Sequence, residues 1–239
     1  MNRRTFIKNT AYTGISFLAG CHLKKRSEKP NILIILADDM GFSDIGGYGS
    51  EIMTPNLDSL AETGLRFSQF YNSARCSPSR AALLTGLHPH QTGVGHLATS
   101  RFENPSYQGH LNKQCVTIAE ILRENGYKAL MTGKWHIGTE KNSWPTTRGF
   151  HRFYGEHSYV DSYFYPTNQL YLDDQPVSAR GENWYSTDSY TDYALKFLDE
   201  ETRDNSFPWF LYLAYNAPHF PLQAFQEDIH KYGDYYSAG

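Results

Sequence analysis

Three strand-like runs limit what this chain can become: Ile32–Leu36, Tyr127–Met131 and Trp209–Tyr215. The first is apolar without alternation, which is the pattern of a strand buried on both faces. Helical patterns separate the three. Pro55, Leu57, Leu60, Ala61 and Gly64 mark one helix, with Thr54 as its cap and Leu57, Leu60 and Ala61 as its buried stripe. Thr117 and Glu120 form a capping box ahead of Ile121 and Leu122, and Gly126 ends that helix. Tyr190, Tyr193, Ala194, Phe197 and Leu198 recur at helical spacing and face a core. Strands alternating with helices predict an α/β fold, with a mostly parallel sheet flanked by helices. In open sheets of this kind ligands bind beyond the carboxyl ends of the strands.

The residues at those ends carry chemistry. The first strand runs into Asp38 and Asp39, and adjacent carboxylates there are costly without a cation. A hard divalent ion such as calcium suits their oxygens. Asp44 is either a further ligand or a loop cap. The second strand leads into Lys134 and His136, which in an extended segment point the same way. The third is followed by His219. Asp173 and Asp174 read as the turn of a hairpin over 170–177.

Cys76-Ser77-Pro78-Ser79-Arg80 precedes Ala81, Ala82, Leu83 and Leu84, with Gly86 to end the helix. Cys76 therefore lies at a helix start, where free N–H groups favour anions, and Arg80 is one turn away. Arg66–Tyr71 reads as a strand feeding into this segment. The bland alternative is a buried cysteine, or a disulfide between Cys76 and Cys115.

C-x-P-S-R followed by a short apolar helix resembles the signature of the formylglycine-dependent sulfatases. Gly133-Lys134-Trp135-His136-Ile137-Gly138, Pro218-His219-Phe220-Pro221-Leu222 and Thr54-Pro55-Asn56-Leu57-Asp58 resemble further segments of that family in the same order. The resemblance implies the alkaline-phosphatase-like fold and hydrolysis of sulfate esters. It implies that Cys76 is oxidised to formylglycine, whose hydrate attacks sulfur. Asp38, Asp39 and position 76 would hold calcium; Arg80 and Lys134 would bind sulfate. His136 would activate the hydrated aldehyde or bind sulfate, and His219 would assist the leaving group. The substrate would be a sulfated glycan or an aryl sulfate. A formylglycine-generating or anaerobic sulfatase-maturing enzyme would be a partner.

Net charge is -3 over 239 residues with mixed signs, so no nucleic-acid footprint is visible, and no apolar run is long enough to span a membrane. Residues 1–21 resemble an export segment: Arg3-Arg4 matches a twin-arginine motif, and Leu18-Ala19-Gly20-Cys21 a lipoprotein cleavage box. Cys21 would carry a lipid anchor, placing the protein in a bacterial periplasm or on a membrane. Residues 22–30 read as a linker and 31–239 as the sulfatase catalytic domain.

The family's second pair of metal ligands has no counterpart after His219, so the chain is expected to be an N-terminal portion, inactive alone. A phosphatase or phosphodiesterase of the same superfamily would use Ser or Thr where Cys76 stands. A non-catalytic, membrane-anchored binder of sulfated glycans is the other alternative. His88, His90, His96 and His110 lack the spacing of a zinc site. His96, and His157 or Ser158, are candidates for substrate contact.

Overall fold

A computed structural model describes residues 29–159, 161–166, 169–179, 184–203 and 207–233. The export segment with Cys21, and most of the linker, lie outside them. Six strands form one sheet: β1 (Ile32–Asp38), β2 (Lys128–Lys134), β3 (Arg152–Glu156), β4 (Leu170–Leu172), β5 (Gln175–Val177) and β6 (Trp209–Pro218). Their order is β1-β6-β2-β3-β4-β5. β1, β6, β2 and β3 run parallel, and β4 and β5 add an antiparallel hairpin. Asp173 and Asp174 form its turn; Asp173 adopts φ 55° and pairs with Arg152.

Helices cover both faces. Ala81 and Leu84 from α2 (Cys76–Thr85) pack with Met131, Phe153, Phe210 and Tyr212 on one side. The other helices are α1 (Pro55–Thr63), α3 (Pro89–Thr92), α4 (Ile118–Glu124), α5 (Ser186–Thr202) and α6 (Gln226–Tyr232). Tyr190, Ala194 and Phe197 of α5 pack with Leu130, Leu211 and Leu213 on the opposite face. Each large side chain buried this way contributes about 1.5–3 kcal/mol. The capping box of α4 forms as expected: Glu120 N–H donates to Thr117 Oγ1, and Thr117 N–H to Glu120 Oε2.

Several local expectations fail. β1 is an edge strand buried on one face only, with Leu33 and Ile35 about half exposed at 49% and 48%. Ile32, Ile34 and Leu36 pack inward, and among the described residues nothing covers the other face. The stripe of α1 is likewise open, and no residue of that helix is buried. Thr54 does not cap α1, because its hydroxyl donates to Asp58 Oδ1 and accepts from Gly46 N–H. Residues 66–71 form no strand; Phe67, Phe70 and Tyr71 are exposed and pair with no strand of the sheet. The stretch 87–112, read as loop, contains the single turn α3.

Candidate active site

The carboxyl ends of β1, β2 and β6 bring the predicted residues together. Asp38 closes β1 and is 5% exposed. Lys134 closes β2, and its Nζ donates to Asp38 Oδ2 at 2.5 Å. Arg80 leans in from α2: Nη2 lies 3.2 Å from Asp38 Oδ1, and Nη1 donates to the Lys134 carbonyl oxygen at 2.7 Å. Burial alone would raise the Asp38 carboxyl. The charges of Arg80 and Lys134 together outweigh it and hold the group below its usual range. Two buried cations against one carboxylate leave the cluster with a net positive charge.

Cys76 is the first residue of α2, and Arg75 precedes the helix in an extended conformation. The segment folds as its sequence suggests, with Pro78 in the first turn and Gly86 closing the end in the left-handed region at φ 68°. Cys76 Sγ lies 3.4 Å from His136 Nδ1. The His136 ring is buried, and burial, then Lys134 and Arg80, push it down to about 3. It is therefore a neutral imidazole. His136 does not lie in an extended segment with Lys134. β2 stops at Lys134 and His136 adopts φ 57°, so a turn in the backbone, and not strand alternation, brings its ring to Cys76.

His219 follows β6. Its Nε2 lies 3.6 Å from Asp39 Oδ2, and its Nδ1 contacts the Phe220 carbonyl oxygen. Asp39 is well exposed at φ 63°. This pair forms a wet rim beside the dry Asp38–Lys134–Arg80 cluster. Arg80 Nε and His136 Nε2 are buried without a hydrogen-bond partner. Orphaned polar atoms at one place are what a polar ligand would satisfy.

The expected metal trio is not gathered. Among the described residues, no three His, Cys, Asp or Glu groups are placed to hold a metal ion. Both Asp38 oxygens are engaged by cations, Asp39 faces His219, and the Cys76 thiol faces His136. Asp38 and Asp39 still offer carboxylate oxygens of the right chemistry for a hard cation, as part of its shell. Asp44 is a loop cap, accepting from Gly41 N–H at 2.5 Å.

Cys76 and Cys115 are both free thiols, which corrects the disulfide alternative. Cys115 is buried and donates to the Asn112 carbonyl. His157 is packed between Trp144, Phe153 and Tyr171, so the aromatic core, not a ligand, sets its position. His88 and His90 stack on each other, with Tyr107 at the edge of His90. His110 Nδ1 lies 3.1 Å from the Gln108 carbonyl, and His96 Nδ1 is buried without a partner. Tyr212, whose hydroxyl lies 3.5 Å from Arg80 Nη1, lies inside the third strand-like run. Inside an apolar run, nothing in the sequence separates it from a packing residue.

The sulfatase family profile matches residues 30–239. An uncharacterised sulfatase of Schizosaccharomyces pombe is 38% identical over 236 residues, covering 89% of this chain and 42% of its own length. An arylsulfatase of Klebsiella aerogenes is 35% identical, covering 93% and 50%. A crystal structure of Ps i-CgsB in complex with k-i-k-neocarrahexaose superposes with a TM-score of 0.78 at 34% identity, covering 88% of this chain and 50% of that one. The chain spans about half the length of the curated relatives it matches.

Proposed function

The chain belongs to the sulfatase family, and we propose that it contributes the nucleophile-bearing part of a sulfate-ester hydrolase. One observation carries this reading. Position 76 sits at a helix start beside a neutral histidine, next to a buried cluster with excess positive charge and unpartnered donors. That is a receptor for a small oxyanion attached to a nucleophile's position.

Cys76 is unpaired, only partly buried, and next to the His136 ring, so formylglycine fits there. Formylglycine at this position supplies, as its hydrate, the oxygen that attacks sulfur. Arg80 and Lys134 bind the sulfuryl oxygens and stabilise charge developing on them. His136, neutral and low in basicity, accepts a hydrogen bond from a hydroxyl at position 76 and fixes its direction. His219 at the rim would assist the leaving oxygen. Asp38 and Asp39 would contribute carboxylate oxygens to a calcium ion, which would add positive charge at the same place.

The substrate class proposed is a sulfated glycan or an aryl sulfate. The names of the relatives and the sugar bound to the structural neighbour support it. Export, lipidation at Cys21 and maturation by a formylglycine-generating or anaerobic sulfatase-maturing enzyme complete the proposal.

The test is sulfate release from 4-nitrophenyl sulfate and from sulfated oligosaccharides, using the protein as its native host makes and matures it. Phosphate esters serve as comparator. Sulfate release lost in Cys76→Ala supports the reading. Preferential phosphate release, or binding of sulfated sugar without any release, would replace it.

A further inference from the structure

A second cluster lies directly behind the site. Glu156 ends β3 and stands beside Lys134 in the β2–β3 register. Its side chain is fully enclosed, at 1% exposure. Glu156 Oε2 accepts from the Tyr190 hydroxyl at 2.5 Å and from Asn216 Nδ2 at 3.3 Å. Asn216 Nδ2 also donates to the Tyr190 hydroxyl at 2.8 Å, closing a triangle. Three elements meet there: β3, α5 and β6.

We propose that Glu156, Tyr190 and Asn216 form a positioning unit that locks the segment carrying Lys134 and His136 to the segment carrying His219. This rests on the sulfate-ester reading above for its catalytic consequence.

The links to both segments are direct. Trp135 N–H donates to the Glu156 carbonyl at 3.0 Å, and His136 N–H to the His157 carbonyl at 3.2 Å. The left-handed turn that aims the His136 ring is therefore hung on the end of β3. On the other side, the Asn216 carbonyl accepts from His219 N–H at 3.0 Å. The Tyr163 hydroxyl lies between the carbonyls of Asn216 and His219. The backbone pairing of β2 with β6 ends at Gly133 and Ala214, and the triangle adds a side-chain tie between the two catalytic segments beyond that point. Displacements of about 1 Å at such sites can cost about a hundredfold in rate.

Burial pushes the Glu156 carboxyl up, and the bonds from Tyr190 and Asn216, with the charge of Lys134, do not undo that. A hydrophobic residue at 156 would leave the Tyr190 hydroxyl proton without an acceptor in the core.

Two measurements on the protein as its host makes it test the unit, with Tyr190→Phe, Glu156→Ala and Glu156→Gln. The first is hydrogen exchange in peptides covering 133–138 and 214–220. Faster exchange in both segments in Y190F and E156A, with α1 unchanged, is expected. E156Q keeps an acceptor oxygen and should restore protection. The second is steady-state kinetics on a sulfate ester. A fall in kcat of about tenfold with little change in KM is expected in Y190F and E156A, about 1.4 kcal/mol of transition-state stabilisation, with recovery in E156Q. Unchanged exchange in either segment, or unchanged kcat despite faster exchange, overturns the proposal. If wild type releases no sulfate, the sulfate-ester reading fails, and exchange alone decides whether the unit couples the two segments.

Discussion

Nζ of Lys134 lies 2.5 Å from Oδ2 of Asp38, with the two side chains 1% and 6% exposed. Arg80 reaches the other oxygen of the same carboxylate. The whole site is arranged around this one buried anion. It holds two cations at the strand ends and is outnumbered by them, so it stabilises the cluster without cancelling its charge.

Removing that anion should be expensive. Asp38→Asn leaves two buried cations without a counter-charge, and breaking such a pair costs about 3–5 kcal/mol. Urea denaturation should show a loss of this size, with part of it recovered in D38N/K134M. A loss below about 1 kcal/mol would mean that the cluster is wetter than the structure shows.

The buried histidines predict acid sensitivity. His157 is held down to about 3 by burial, against an ordinary value of 6.5. Between those two pH values the unfolded chain binds a proton that the folded chain does not. Stability is therefore fully present above about pH 6.5 and is lost as pH falls towards 3. His136 adds to the same slope. His157→Phe keeps the aromatic packing and should flatten the acid limb by about 1.4 kcal/mol per pH unit at most. Equal acid limbs for wild type and H157F would contradict this.

Gly133 immediately precedes Lys134 at φ 98°, and a Cβ there would meet the Ala214 carbonyl oxygen at 1.9 Å. Only glycine lets β2 and β6 approach this closely before the chain delivers Lys134. Gly133→Ala should destabilise by about 3 kcal/mol or more and should impair sulfate turnover more than stability alone accounts for. A variant with wild-type melting temperature would contradict the packing described.

The two free thiols give a covalent check. Peptides from a non-reducing digest should contain Cys115 as a thiol, with no cross-link to residue 76. A cross-linked 76–115 peptide would restore the disulfide alternative.

The sequence made much of this legible, for reasons that differ by element. β2 and β6 announce themselves because burial on both faces demands long apolar runs. The turn at Asp173-Asp174 and the capping box at Thr117 depend on local chemistry that a short window contains. Cys76, Arg80, Lys134, His136 and His219 were found through short strings, and the fold does gather them.

β3 escaped because Arg152-Phe153-Tyr154-Gly155-Glu156 has charged ends and a central glycine. Its strand character comes from pairing with β2, which no local pattern records. Leu33 and Ile35 misled for the reverse reason: an apolar run shows that burial is favourable, but not which element supplies the cover. The pairing of Asp38 with Arg80 and Lys134 was not legible either, because both cations are distant in sequence. Glu156 was invisible as a site residue, since a lone glutamate reads as surface until its burial is seen.

The most direct measurement is mass spectrometry of the peptide containing residue 76, from protein made in its native host. The account predicts loss of sulfur and gain of oxygen at that position, the signature of formylglycine. An unmodified thiol at position 76, in protein that nevertheless releases sulfate from an ester, would contradict it.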